Sequence, residues 1–568
     1  MKRCPECRRD YYDDTLLYCL DDGTPLLDGP ASPDEAKTAT FPGETPTAIL
    51  SANADLESQK NLGEVSEKRT LSTNRVAKQL VVIVIAVIVL IGGFFGYRYV
   101  GSNSGSGTIK IESIAILPFV NETNNQNAEY LSEGISENII NSLSRLPNLR
   151  VMSRNAAFHY KGTDVDAHVV ATELKVQAIL TGRVTQRGDK LLVSVELING
   201  QDNSHIWGQQ YSRTAADVLA VQEDIAKEIS EKLGIRLTGT ERQQIAKRPT
   251  ENLKAFQYYT QGRSYAQHRI RDDLLRAIQY YEAAIKEDNN YALAYAGLAE
   301  AYSVLGIRGY IPPVEGRSKA DEAARQALAL DDSLAEAHVA ISQIAILFTP
   351  YNLSLADREL ARAVELNPNF GLAHNYIGLL RTRQGRYDEA TPEFLKAREL
   401  DPFSPVFARA VALPYLLKRD YPRALEVLQR ADDLGPSFIL PAEIGVYVQS
   451  GLFDEALVRL EKAKPGRDND PILIYSTGMI YAAQKNRPET LRIIKQLEDM
   501  SGPGLYQAHW IAKIYATMGD KESALSWLER GLAAGTIGDF YRDEPVWDPI
   551  RSDPRFGEFL QRAGVPRP

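Results

Sequence analysis

Three cysteines and one carboxylate open the chain with spacing that could hold a metal. Cys4-Pro-Glu-Cys7 is a two-cysteine knuckle, and Cys19-Leu-Asp-Asp22-Gly23 follows after eleven residues. A structural zinc ion takes four ligands in a tetrahedron, commonly as two pairs at two-residue spacing. Cys4, Cys7, Cys19 and Asp22 supply such a set, with a carboxylate oxygen as fourth donor and Asp21 competing for that place. Every ligand is then spent on holding the fold, which points to structural rather than catalytic zinc. Tyr11, Tyr12, Leu16, Leu17 and Tyr18 are the apolar groups available, and Gly23 permits the turn after the second pair. A module of roughly 25 residues has too small a core to fold without its metal.

No other chemistry is legible. The chain has no phosphate-cradling Gly-x-x-x-x-Gly-Lys-Ser/Thr loop, no His-Glu-x-x-His, no kinase glycine loop and no Gly-x-Ser-x-Gly elbow. The expectation is therefore a protein that is not an enzyme. Its 568 residues carry a net charge of -9, with 44% hydrophobic and 24% charged residues, the balance of ordinary folded protein. All three cysteines lie in the first nineteen residues, which excludes a disulfide scaffold. Nucleic acid is disfavoured as a partner. Lys2, Arg3, Arg8 and Arg9 could reach it, but Asp10, Asp13, Asp14, Asp21 and Asp22 oppose that charge. Residues 1–27 resemble the zinc ribbons that begin many bacterial membrane and regulatory proteins, and depart from the usual four-cysteine set at Asp22.

Residues 28–79 are rich in Pro, Thr, Ala and Ser and then basic, and they read as a disordered linker and juxtamembrane segment. Residues 80–96 carry no charge, and 80–100 make 21 residues, about 30 Å of helix, the thickness of a bilayer core. Tyr97 and Tyr99 suit the headgroup boundary, with Arg98 snorkelling between them. Lys68, Arg69, Arg75 and Lys78 precede the run, so the positive-inside rule places the amino terminus in the cytoplasm. A single-pass protein of the bacterial inner membrane is expected, with its carboxy-terminal domains periplasmic or otherwise extracytoplasmic. Gly92, Gly93 and Gly96 offer a small-residue surface through which it could form a homodimer. Residues 101–108 form a short tether.

Residues 109–240 alternate strand and helix signals. Residues 111–120 read as a buried strand stopped near Pro118. Leu131, Ile135, Ile139, Leu143 and Leu146 form one helical stripe. A short strand at 149–152 and a helix at 165–174 follow. Strands at 178–184 and 191–197 are joined by a turn at Arg187-Gly188-Asp189, where Gly188 permits positive φ. A strand at 205–211 and a helix with Val218, Val221, Ile225, Ile229 and Leu233 on one face complete a mixed sheet covered by helices. The segments Ile114-Ala-Ile-Leu-Pro-Phe119, Tyr130-Leu-Ser-Glu-Gly134, Leu180-Thr-Gly182 and His205-Ile-Trp207 resemble the amino-terminal α/β domain of TolB. The likeness is strongest to the version found beside repeats in membrane-bound bacterial regulators. It implies protein interaction or sensing.

From 253 onward helices follow one another. Small residues recur at Ala277, Ala320, Ala356, Ala390, Ala424, Ala456, Thr490 and Ala524, spaced by 43, 36, 34, 34, 32, 34 and 34. This resembles the 34-residue period of tetratricopeptide (TPR) repeats. Residues 371–402 give the clearest unit, with Gly378, Gly385, Tyr387, Ala390, Phe394, Ala397 and Pro402. About eight repeats are expected over 253–535, stacked because each alone cannot bury its core. A capping segment at 536–568 carries Trp547 and Phe556, with Asp553 capping its helix. Groove-facing candidates by offset are Tyr258, Asn375, Arg381, Tyr475 and His509. Two irregular insertions, His268 to Asp272 and Tyr310 to Val314, could bind partners.

The expected fold class is therefore multidomain, α/β plus all-α. It comprises a zinc-ribbon-like module, one transmembrane helix, an α/β domain and a TPR superhelical solenoid. The expected function is a membrane-anchored scaffold that takes protein or peptide ligands in the TPR groove. The alternative is a transmembrane sensor relaying an external binding event to a cytoplasmic effector through the ribbon.

Overall fold

The computed structural model describes residues 111–565, except 124–125, 164, 215–216, 236, 436–440, 466, 468, 502–506 and 538–540, together with three short strands in the first 28 residues. The chain divides into two compact units, Met1–Ser104 and Gly105–Pro568. In the first, β1 (Lys2–Arg3) pairs antiparallel with both β2 (Asp10–Tyr11) and β3 (Leu27–Asp28). Cys4, Cys7, Cys19, Asp21 and Asp22 lie outside the described residues.

The second unit begins with an α/β domain. Its strands are β4 (Ser113–Ile116), β5 (Val120–Asn121), β6 (Arg150–Val151), β7 (Ala178–Arg187), β8 (Lys190–Asn199) and β9 (His205–Thr214), ordered β6-β4-β7-β8-β9 with β5 also on β7. Successive side chains of a strand point to opposite faces, and the core divides accordingly. Ile114, Ile116, Ala178 and Leu180 face α1 (Gln126–Leu143) and α4 (Val218–Lys232), meeting Ile135, Ile139, Val221 and Ile225. Ala115 and Ile179 face the other way, onto α2 (Arg154–Phe158) and α3 (Ala167–Leu174). The expected strand at 111–120 is broken into two at Pro118, because proline cannot donate to a ladder. At the β7–β8 hairpin Arg187 pairs with Lys190, and Gly188 takes φ +59°. Arg187-Gly188-Asp189 is thus a turn sequence. Helix α5 (Gly239–Ala246) starts at a capping box of Thr238 and Glu241 and leads into the repeats.

Eight helix pairs follow among the described residues. They are α6 (Leu253–Ala266) with α7 (Arg271–Glu287), α8 (Ala292–Ile307) with α9 (Pro313–Leu330), and α10 (Ala335–Leu347) with α11 (Leu353–Leu366). Next come α12 (Gly371–Arg383) with α13 (Tyr387–Leu400), the broken helix α14 (Pro405–Ala410) and α15 (Ala412–Leu417) with α16 (Tyr421–Asp432), and α17 (Pro441–Gln449) with α18 (Phe453–Ala463). The last are α19 (Pro471–Ala483) with α20 (Arg487–Ser501) and α21 (Ala508–Met518) with α22 (Lys521–Ala533). The helical repeats are TPR-like. The recurrent small residues Ala277, Ala320, Ala356, Ala390, Ala424, Ala456, Thr490 and Ala524 are all fully buried. Close approach explains them: a Cβ on Gly378 would lie 2.7 Å from the Phe394 ring, so a larger residue there would force the pair apart. Asp553 caps α23 (Pro554–Arg562) through the Arg555 amide.

The membrane architecture is corrected at this point. The apolar run at 80–100 lies outside the described residues, and among the described residues no helix is long and apolar enough to cross a membrane. The two longest, α1 and α9, have 18 residues each, but α1 carries Glu129, Glu133 and Glu137, and α9 carries Arg317, Lys319, Asp321, Glu322 and Arg325. Such charges are expensive in hydrocarbon. Among the described residues, the transmembrane helix in the fold class, the bilayer contact through 80–100 and the inner-membrane placement have no helix to carry them. Both the membrane-anchored scaffold and the transmembrane-sensor readings fall with them.

Candidate functional site: two cavities inside a closed superhelix

The first helices of TPR pairs ordinarily present one apolar face to their neighbours and one polar face to a groove. Here several are buried all round. In α10 every residue from Ala337 to Leu347 is buried, and in α19 so are Pro471 to Ser476 and Gly478 to Ile480. A helix that is apolar on all sides must be covered on all sides.

The cover comes from both ends of the solenoid. At the carboxy end Trp547, Ile550, Phe556 and Phe559 are fully buried, and the tail returns to early repeats. The Tyr351 amide donates to the Ala563 carbonyl at 3.2 Å, the Thr349 hydroxyl to the Ile537 carbonyl at 3.1 Å, and the Tyr310 hydroxyl to Asp470 at 2.9 Å. Arg419 pairs with Asp548 at 2.7 Å, and Tyr387 bonds Asp543. The superhelix therefore closes on itself.

At the amino end the α/β domain docks against the first five repeats. The Asn369 side chain accepts from the Val151 amide at 3.3 Å and donates to the carbonyls of Ser144 and Leu149 at 2.9 and 2.8 Å. The Ser153 amide donates to the Leu400 carbonyl at 2.9 Å, and Phe403 stacks on His159 with centroids 4.0 Å apart. Buried Arg154 donates to Glu137, Glu133 and Gln267 at 3.0, 3.2 and 3.2 Å. Gly134 of α1 lets the Phe256 ring of α6 approach to where a Cβ would stand 2.4 Å away. Asp401 lies in this seam. Burial pushes its carboxyl up to about 6, against hydrogen bonds from the side chains of Ser153 and Asn155 and from the amides of Phe403 and Ser404. Its Oδ1 has no hydrogen-bond partner.

Two cavities remain within. The first, about 470 Å³, is bounded by the Val151–Asn155 stretch of the α/β domain and by Arg263, Arg269, Glu300, Arg308, Asp401 and Arg467 of the repeats. The second, about 160 Å³, has a mostly apolar wall that includes Leu347, Tyr376, Leu413, Val446, Ile472 and Trp510. Arg269, Arg308 and Gln343 line both. Beside the second cavity sits a buried ion cluster. Arg409 meets Glu443 at 3.2 Å and Asp432 at 3.1 Å, and Arg459 bonds the same two carboxylates. Burial raises the Glu443 carboxyl, while Arg459 and Arg409 pull it down.

Of the groove candidates, Asn375 lines the second cavity. Tyr475 is buried and stacks on Trp510 at 5.4 Å. His509 is buried, and its imidazole is held well below its usual range by desolvation and by Lys513 and Arg383. Tyr258 and Arg381 stand apart from both cavities. Tyr258 contacts the Tyr280 ring, and Arg381 pairs with Asp357 at 2.7 Å. Sequence reasoning missed Arg269, Arg308, Gln343, Asn369 and Asp401 as site residues. A signal existed for the first, since Arg269 lies in the irregular stretch His268 to Asp272. Among the described residues no group of three or more His, Cys, Asp or Glu side chains could hold a metal ion.

Residues 110–229, the α/β domain, match the second domain of HilA/YgeH-like transcriptional regulators, where the sequence pointed to TolB. The chain is 29% identical over 235 residues to "Putative adenylate cyclase 3" of Rhizobium meliloti (strain 1021), a match covering 40% of this chain and 39% of the relative. It is 28% identical over 116 residues to "TPR repeat-containing protein YpiA" of Bacillus subtilis (strain 168), covering 19% of this chain and 27% of that protein. The chain thus spans well under half the length of these curated relatives. Among solved structures, YrrB, a TPR protein with an unusual peptide-binding site, is 26% identical and covers 32% of this chain and 87% of its own, with a TM-score of 0.22. A tetratricopeptide repeat protein from Parabacteroides merdae ATCC 43184 is 14% identical and covers 55% of this chain and 99% of its own, with a TM-score of 0.24. Overlays at these scores carry no functional weight.

Proposed function

We propose that the chain is a non-catalytic, TPR-type protein-interaction module of a regulatory protein, engaged from outside rather than through an open groove. The observation that supports it is the burial of the first helices, which leaves the second helices and the α/β surface as the faces a partner can reach. The match of the α/β domain to a transcriptional regulator's second domain supports the regulatory setting. Crosslinking of the full chain in its native cells, with mapping of the joined peptides, tests the reading. Partner peptides attached to Lys396, Lys462 and Lys495, on the second helices, support it. Attachment confined to the inner helices contradicts it.

The amino-terminal zinc site belongs to the same proposal. Its support is the two-residue spacing of Cys4 with Cys7 and of Cys19 with Asp22. Purified full-length chain should carry one zinc per molecule by elemental analysis, and Cys4→Ser with Cys7→Ser should remove it. An equal zinc content in that variant would overturn the assignment.

A further inference from the structure

A buried titratable side chain stands where the superhelix closes. His509 is 3% exposed at the start of α21, and neither ring nitrogen makes a hydrogen bond of ordinary geometry. Lys513 lies one turn further along the same helix and pairs at 2.7 Å with Glu544 of the tail, both buried. Arg383, which ends α12 in the fourth repeat, lies over the rings of Tyr351 and Tyr541, 4.4 and 4.8 Å from their centroids. Tyr351 is the residue whose amide donates to the returning tail at Ala563, and Tyr541 belongs to the tail. These groups come together only when the ends of the solenoid meet.

A proton on the imidazole adds a positive charge to this buried place. Burial opposes it first, then Lys513 and Arg383, while the Thr536 backbone favours it. The other elements packed on α21 do not reverse that balance. Helix α19 carries no charged residue and meets α21 with Tyr475, stacked on Trp510. Helices α20 and α22 hold charged pairs at the surface, among them Lys495 with Asp499 and Glu529 with Arg562. In the tail, burial of Asp543 is outweighed by hydrogen bonds from Arg542 and Tyr387, and Asp548 is dominated by Arg419. Both carboxyls are held below their usual range, so neither takes up a proton near neutrality.

We propose that His509 makes the carboxy-terminal closure an acid-sensitive latch, whose protonation lets the tail leave the early repeats and uncovers the inner faces of the first helices. This goes beyond the protein-interaction reading and does not depend on it. The aromatic packing of the seal does not titrate; His509 supplies the titrating group. In the closed form the ring is dry and resists the proton, and in the open form it is hydrated and takes one near 6.5. The open form therefore binds the proton more tightly. Closure is complete above 6.5 and weakens as pH falls below it. Asp401 in the amino-terminal seam has the opposite sense, because its buried carboxyl is pushed up to about 6 and its protonated form favours docking. Acid thus separates the two ends.

Hydrogen exchange of the full chain, read by mass spectrometry at pH 7.5 and 5.5 and corrected for the intrinsic exchange rate, tests the latch. Peptides containing Tyr351, and peptides within 554–565, should open about 10-fold more at pH 5.5, the full ratio for a group that titrates at 6.5 only when open. Peptides containing β6 should show no such increase. His509→Phe, a ring that cannot take a proton, should abolish the difference. His509→Gln should do the same, and it replaces the phenylalanine variant if that chain does not fold. The proposal is overturned if the parent shows no increase or if β6 opens equally. It is also overturned if a folded His509 variant keeps the increase, which would assign it to another group such as Glu544.

Discussion

The two ends of the solenoid are sealed by different physics. The carboxy-terminal seal has an aromatic centre: Trp547, Phe556 and Phe559 are removed from water, and ion pairs such as Arg419–Asp548 and buried Lys513–Glu544, each at 2.7 Å, surround it. The amino-terminal seal is polar. Asn369 reaches four backbone groups of the α/β domain, Arg154 donates to Gln267 of the first repeat at 3.2 Å, and buried Asp401 accepts from neutral donors. Apolar burial scales with area and is insensitive to pH. A polar seam depends on every partner being present and on protonation. The carboxy end should therefore govern whether the superhelix folds. The amino end should govern how tightly the α/β domain sits on it.

Substitutions can break that contrast, and the largest effect is expected at the apolar seal. Trp547→Ala should cost about 3–5 kcal/mol and lower the unfolding midpoint of the entire repeat array. A melt showing a loss confined to the α/β domain would contradict the assignment.

Next comes Asp401. Folding raises its carboxyl from 3.8 to about 6, so the native state holds the proton more tightly. That contribution is complete below 3.8 and is lost as pH rises through 6. The parent should lose up to about 3 kcal/mol of stability between pH 4 and 7 from this group. Asp401→Asn should flatten that part of the profile, read by denaturant titration at several pH values. An unchanged profile would show that Asp401 is not the titrating group.

Asn369→Ala should cost about 1–3 kcal/mol, because it strands the Ser144 and Leu149 carbonyls and the Val151 amide. Hydrogen exchange should rise around β6 and leave the tail untouched. The smallest effect belongs to Lys247→Ala. It removes an exposed ion pair with Asp331 at 2.5 Å and should cost under about 1 kcal/mol.

Local features were readable from the amino acids. The period of small residues located the helix pairs, and Gly188 located the hairpin, because close packing and positive φ each restrict residue type. Short elements were harder. Helix α2 has five residues, too few for a periodic stripe, although Ser153 caps it through the Ala156 amide. The closure was not legible at all. Tyr310 and Asp470 are 160 residues apart, and nothing in either sequence neighbourhood specifies the other. Tyr475 and His509 are buried for that reason: offset within a repeat gives the inner face but not what covers it. The apolar run at 80–100 invited a membrane topology that no described helix supports.

Carbodiimide crosslinking of an Arg419→Lys chain tests closure most directly, because it joins only carboxylates and amines already in contact. Lys418 with Asp388, 2.7 Å apart in adjoining repeats, is the internal control. Closure predicts two long-range products beside it, residue 419 to Asp548 at the carboxy-terminal seal and Lys247 to Asp331 at the amino-terminal side. The control product without the 419–548 product would mean an open solenoid with an available groove, and would contradict the account.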